Sequence, residues 1–424
     1  MKPNLQVSSL RWVVCGLLLL ITTVNYMDRS ALGLVEPILR HLFAGDNNPA
    51  HFNRDYSRIV NCFIFAYGIG LLLAGRVIDR IGARMGLALS IAVWAAASIS
   101  HTLATTVLGF GIARFALGLG EAGNFPAALK ATADWFPAEE RALATGIFNS
   151  GTSAASLIAP LLIPWVAVRF GWKAAFLTTG GLSLCLLAAW LVFPYNRLQQ
   201  RFSANSTLSV DAEKKERASF ITLLRSRGTW SFALSKAFTD PVWWFYLFWL
   251  PKFFNERFSI NMSELGLPLI VIYCGATIGS VGGGWIAGLA MRRGRTLRQG
   301  RRFAMLICAI GSTVVLLVPF IHQLWQAIAV LSVATAAHQG WSSNLLSTPS
   351  DRFPSTSVGT VVGIGGAIGS IGSTVFTYLV GVLWAHHSML IFFAAGLAYL
   401  LSLFFFQGGR FAPIPSPESH SEAS

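Results

Sequence analysis

Charged side chains stand inside long apolar runs at Asp28, Arg29, Arg114, Glu121 and Lys236. At a membrane-helix centre each costs about 2.5–3.5 kcal/mol on insertion scales, so such residues face a bundle interior or a wet cavity. Asn25, Tyr26 and Arg29 lie three and four residues apart and share one broad helix face. Asp28 is turned about 100° away from Arg29, which makes it a poor simple partner. Arg114, Gly118 and Glu121 fall at i, i+4 and i+7, one stripe about 10 Å long with room beside the glycine. Two chemistries fit. A guanidinium fork at Arg29 matches a carboxylate bidentately, with Arg114 a second candidate contact. Asp28 and Glu121 are acids that can take up and release a proton as their neighbours change. The competing reading is structural: Arg114–Glu121 and Asp28 as static ion pairs between helices, and Lys236 snorkelling from the start of its run.

Softer candidates are polar and aromatic. Trp243, Trp244, Tyr246 and Trp249 offer faces for a sugar ring but also pack helices; of these Trp243 is selected. His338, Gln339, Trp341 and Asn344 cluster on another run, with Gln339 and Trp341 as the chosen contacts. Asn149, Ser150 and Thr152 form a third group, represented by Thr152. Other matches are refused. Gly118-Leu119-Gly120-Glu121-Ala122-Gly123 satisfies GxGxxG, but no strand or βαβ unit surrounds it. No glycine is followed by lysine, so there is no P-loop, and HExxH and GxSxG are absent. Asn205-Ser206-Thr207 matches a glycosylation acceptor in a stretch read as cytoplasmic. Cys15, Cys62, Cys185, Cys274 and Cys308 lie in separate apolar runs and read as small core residues. No cofactor or metal is implied.

The elements that hold these residues follow from composition. The chain has 424 residues, 54% hydrophobic and 12% charged, with a net charge of +14 and a mean hydropathy of +0.58. Soluble domains carry roughly twice that share of charge. Apolar runs occur near 10–33, 57–76, 86–106, 107–128, 143–168 and 174–193, then 229–253, 265–290, 303–321, 324–347, 358–384 and 388–407. This predicts an all-α membrane protein of twelve helices: a six-helix half over 1–193, a hydrophilic linker over 194–228, a second half over 229–408 and a tail over 409–424. The first run has no small-x-small cleavage site and reads as a retained helix. With both termini cytoplasmic, 22 of the 32 basic residues fall inside and 7 outside, with Arg29, Arg114 and Lys236 in spans. That is the positive-inside pattern, so the charge reports topology rather than nucleic-acid binding. Asp134-Trp135-Phe136-Pro137 is echoed by Asp351-Arg352-Phe353-Pro354, an offset of half the chain. Such repeats place a substrate site at their interface near the bilayer midplane.

The loop after the second run reads Gly75-Arg76-Val77-Ile78-Asp79-Arg80-Ile81-Gly82-Ala83-Arg84. This GxxxDRxGxR pattern resembles the hallmark of the major facilitator superfamily, in which Gly75, Asp79, Arg80, Gly82 and Arg84 would form a gating turn. The matching loop from Gly284 to Arg302 has Gly288 where an acid would fall, so that half of the gate is expected to be held more weakly. Gly118 to Ala127, Asp134-Trp135-Phe136-Pro137 and Glu140-Arg141-Ala142 resemble the anion:cation symporter family. Asp240-Pro241-Val242-Trp243-Trp244 through Lys252, with His338-Gln339-Gly340-Trp341-Ser342, resemble its hexuronate transporter branch. The resemblance implies proton coupling at Asp28 and Glu121, substrate contact at Arg29, and a sugar-acid pocket lined by Tyr26 and Tyr67. It also implies that the first, fourth, seventh and tenth helices line the cavity. The expectation is a monomeric bacterial inner-membrane symporter that imports a hexuronate with protons by alternating access. The rivals are an exporter of organic anions or drugs, an importer of another sugar acid such as galactonate, and a receptor that binds without moving its ligand.

Overall fold

A computed structural model describes residues 5–44, 49–136, 138–195, 220–353 and 355–408. Most of the expected linker and all of the expected tail lie outside the described residues. Thirteen α-helices are described: α1 (Leu5–Ala44), α2 (Pro49–Ser100), α3 (Val107–Glu121), α4 (Asn124–Trp135), α5 (Ala138–Asn149), α6 (Gly151–Phe170), α7 (Trp172–Val192), α8 (Phe220–Arg225), α9 (Arg227–Phe258), α10 (Gly266–Arg292), α11 (Leu297–Ser312), α12 (Leu324–Arg352) and α13 (Ser355–Gly408).

These elements resolve into twelve crossings. The 52-residue α2 is two limbs joined at Gly82, whose φ of 84° is a left-handed conformation that glycine adopts without a Cβ penalty. The 54-residue α13 is likewise two limbs, bent at His387. α3 and α4 are one crossing broken at Ala122 and Gly123. Pro126 sits in the first turn of α4, where it offers no N–H to continue the α3 ladder. α5 and α6 form the fifth crossing, and α11 runs on into a 3₁₀ segment, Thr313–Phe320, that contains Pro319.

Eight stretches are long and apolar enough to cross a membrane by length and composition, and the last of them, Ser357–Phe406, has room for two. Three crossings fall short: the broken α3–α4 pair, α9 and α12. They carry Arg114 and Glu121, Lys236 and Asp240, and His338 and Asn344. α1 bears candidate chemistry too, at Asp28 and Arg29, and is nonetheless long and apolar enough to cross.

Within the first half α2 packs on α3; within the second α9 packs on α13 and α10 on α12. The halves meet through α1 and α9, α2 and α13, and α6 and α10. Numbered as crossings these are 1 with 7, 2 with 11 and 5 with 8. A two-fold exchanging the halves maps the first pair onto itself and swaps the other two, as a duplicated fold requires.

Candidate functional site

Arg29 lies at the middle of α1, 5% exposed. Its Nε donates to Glu121 Oε2 at 2.9 Å, across 92 residues of sequence. Its guanidinium carbon sits 4.3 Å from the Tyr26 ring centroid, 4.6 Å from Tyr67 and 5.4 Å from Trp244. The cation is thus held in an aromatic box with one edge on a carboxylate, and desolvation strengthens both interactions. Gly118 makes the box possible: a Cβ there would meet Phe63 O at 2.5 Å, so only glycine lets α3 press against the α2 limb that carries Tyr67. The second Glu121 oxygen, Oε1, is buried and has no hydrogen-bond partner among the described residues.

Tyr26 also belongs to a narrow cleft of ≈ 20 Å³ between the halves, whose other walls include Ser30, Ser156, Trp243, Leu247 and Tyr273. The cleft draws on α1 and α6 from one half and α9 and α10 from the other. Tyr26 is thus shared between the Arg29 box and this cleft, with Trp243 on the opposite wall.

Asp28 faces the other way, into the first half. Its Oδ1 accepts from Ser98 Oγ at 2.5 Å and its Oδ2 from Ser183 Oγ at 3.0 Å. Ser183 in turn accepts from Trp94 Nε1 at 2.9 Å. The carboxylate therefore ties α1 to the second α2 limb and to α7, at 1% exposure. Arg114 is fully buried behind Arg29; its Nη1 donates to the Arg29 carbonyl at 3.4 Å, and its Nε and Nη2 have no partner among the described residues. Neither acid makes the Arg114 ion pair that spacing on α3 suggested.

The remaining candidates scatter. Trp243 stacks on His338 at 5.1 Å between centroids, and His338 Nδ1 hydrogen-bonds the Tyr399 hydroxyl. Gln339 is half-buried on α12. Trp341 is fully buried with its edge against Tyr399, inside the second half rather than at the cleft. The Thr152 hydroxyl, at the start of α6, donates to Asn149 O at the end of α5. Lys236 does not simply snorkel: it pairs with Asp240 at 2.8 Å.

Sequence reasoning singled out Trp244 but did not select it, although it supplies one wall of the Arg29 box. It missed a second charged cluster altogether. Glu36 and Arg40 on α1 meet Lys252 and Glu256 on α9, with Lys252–Glu36 at 2.9 Å, Lys252–Glu256 at 3.0 Å and Arg40–Glu256 at 3.0 Å. Trp384 Nε1 donates to Glu256 at 2.7 Å. Lys252 counts among the seven basic residues expected outside, yet it is 1% exposed. The signal was an acid and a base one turn apart on each of two helices.

At the opposite end, the gating turn is described in part. Gly82 makes the bend, Gly75 has open space around it, and Arg80 is exposed. The Arg84 Nη2 donates to Leu191 O at 2.7 Å and its carbonyl accepts from Trp190 Nε1, which fixes the turn to the end of α7. The Asp79 side chain lies outside the described residues. In the second half, Arg301 of the matching Gly284–Arg302 stretch pairs with Asp351, the echo of Asp134, at 3.0 Å.

A model of the Major Facilitator Superfamily matches residues 18–377. The hexuronate transporter of Escherichia coli (strain K12) is 29% identical over 388 residues, 89% of this chain and 88% of that protein. The galacturonate transporter of Dickeya chrysanthemi is 31% identical over 291 residues, 66% of this chain and 82% of that one. Among solved structures, a D-xylose–proton symporter superposes with a TM-score of 0.74 at 15% identity, covering 94% of this chain and 97% of that one. A bacterial homologue of the lysosomal transporter Spinster, inward-facing and unoccupied, gives 0.73 at 17% identity, covering 95% and 99%.

Proposed function

The chain belongs to the Major Facilitator Superfamily, and from that premise we propose that it is a secondary transporter importing a monoanionic sugar acid, a hexuronate such as galacturonate or glucuronate, together with protons. The sugar-acid class is supported by relatives named as hexuronate and galacturonate transporters. The observation that carries the mechanism is the Arg29–Glu121 pair inside the Tyr26–Tyr67–Trp244 box. Glu121 occupies one edge of the guanidinium. When Glu121 takes up a proton its hold on Nε weakens, and the substrate carboxylate becomes the better acceptor for the fork. Loss of that proton on the other side returns Arg29 to Glu121 and releases the substrate. Protonation and substrate binding thus favour each other, because the Glu121 and substrate carboxylates compete for one cation. The halves rock about the cleft to change its exposure, as the duplicated architecture allows. The reading includes a monomer in the bacterial inner membrane with both termini cytoplasmic; the positive-inside distribution supports the orientation.

Uptake of labelled galacturonate into proteoliposomes, with and without an inward proton gradient, tests this reading. Wild type should accumulate substrate when the gradient is present. Glu121→Gln should retain counterflow exchange and lose gradient-driven accumulation. Full accumulation by Glu121→Gln would remove Glu121 from the coupling and leave Asp28 as the next candidate.

A further inference from the structure

Six buried polar atoms line the seam between α1 and the α3–α4 crossing with no hydrogen-bond partner among the described residues. They are Asn25 Oδ1 and Nδ2, Arg114 Nε and Nη2, Glu121 Oε1 and Asn124 Oδ1. All four side chains are at most 1% exposed. Two contacts set the register of the seam. Arg29 holds Glu121 at 2.9 Å, and seven residues earlier on α1 the Thr22 hydroxyl accepts from Asn124 Nδ2 at 3.4 Å. Asn25 falls between these two rungs, one turn before both Asp28 and Arg29. Arg114 stands at the other end, donating to the Arg29 carbonyl within electrostatic reach of both Asp28 and Glu121.

The mixture of atoms decides what completes the seam. Three are oxygens that accept and three are nitrogens that donate. A metal ion would leave the N–H groups unmet, and an anion would face the oxygens. Water does both, and a buried water takes about two to four such partners. Asp28 supplies an independent observation. The Ser98 and Ser183 hydroxyls that it accepts from each have another acceptor at hand, Phe176 O at 3.3 Å and Thr179 O at 3.0 Å. When Asp28 gains a proton, both hydroxyls can turn to those carbonyls. Its surroundings therefore satisfy the acid as well as the carboxylate.

We propose that Asn25 is a positioning residue for the coupled proton: with Arg114 it holds a short chain of water molecules that joins Glu121 to Asp28. The role presupposes the proton-coupled import proposed above. The Glu121 carboxyl gives its proton to the first water, and the last water gives one of its own to the Asp28 carboxylate. Glu121 becomes a carboxylate as Asp28 becomes an acid, so one proton moves and the charge of the pair is unchanged. Glu121 is then ready to take back Arg29, and the proton has left the substrate's side of that cation through the first half.

Proteoliposomes carrying Asn25→Leu test the role, with gradient-driven uptake and counterflow of labelled galacturonate measured on one preparation. Leucine is close to asparagine in size and offers no hydrogen bond. Gradient-driven uptake should slow about 100-fold, the lower end of what a positioned proton transfer contributes. The rate and half-saturation of counterflow, which needs no net proton movement, should stay at the wild-type values. Asn25→Ser keeps a donor and an acceptor and should restore most of the uptake. If Asn25→Leu does not fold, the smaller Asn25→Val is read in the same way. Equal slowing of both modes, or an Asn25→Ser as slow as Asn25→Leu, would make Asn25 a packing residue and overturn the proposal. A raised half-saturation in counterflow would overturn it in favour of a substrate contact, and unslowed uptake would remove Asn25 from the proton path. No gradient-driven accumulation by wild type would overturn the proton-coupled reading itself, and this role with it.

Discussion

At the scale of single residues, the site works through one guanidinium with two claimants. A lysine at position 29 would keep the charge but lose the planar fork that can hold a carboxylate while another group keeps Nε. Charge-assisted hydrogen bonds contribute about 1.5–3 kcal/mol each. Arg29→Lys should therefore weaken substrate binding roughly 10- to 100-fold with the fold intact, measured as the half-saturation of counterflow. Asp28 supports a different expectation. Its carboxylate accepts from Ser98 and Ser183 on two other crossings. Ser183→Ala should lower thermal stability by about 1.5–3 kcal/mol, and adding Asp28→Asn should cost less than the sum of the single changes. Additive losses would show that the serine and the aspartate do not act together. The sequence made these residues visible because charge in an apolar run is costly wherever it occurs. It did not reveal the partners. Arg29 finds Glu121 92 residues away, and no periodicity within α1 or α3 encodes which helix face meets which.

At the scale of elements, crossings were legible from apolar runs and glycines, whereas polar contacts between halves were not. Lys252 illustrates the difference: it lies at the end of the run over 229–253 and counts with the basic residues expected outside, yet it is buried against Glu36 and Glu256. With Arg40 it forms a four-charge latch joining α1 to α9 across the boundary between halves. Tyr56 reinforces it by donating to Phe248 O at 2.8 Å. If this end opens during transport, the latch must break. Removing one partner of a buried pair costs about 3–5 kcal/mol, and the lower figure applies because Arg40 also reaches Glu36 at 3.3 Å. Lys252→Met should thus shift the population toward opening at this end by roughly a hundredfold. A cysteine placed at the buried Ser57, in a background without the native cysteines, should then react faster with an impermeant maleimide. The charge-swapped pair Glu36→Lys with Lys252→Glu should restore slow labelling. Unchanged labelling in Lys252→Met would mean the latch does not govern access.

At the scale of the whole molecule, buried charge limits what can be carried. Around the site Arg29 and Arg114 balance Asp28 and Glu121, and Lys236 balances Asp240. A monoanion entering this neutral interior leaves one excess negative charge, which is costly to bury. One proton on Glu121 restores neutrality; two would leave an excess positive charge. The balance therefore favours one proton per monoanion and an electroneutral cycle. Accumulation should follow the pH gradient and ignore a potassium–valinomycin potential. A second proton would add about 2.3 kcal/mol per 100 mV, an increase in accumulation of about 50-fold. The two cases are far enough apart to separate in proteoliposomes. A strong response to potential in wild type that disappears in Asp28→Asn would make Asp28 the second carrier, and its serine cradle the device that sets when it lets the proton go.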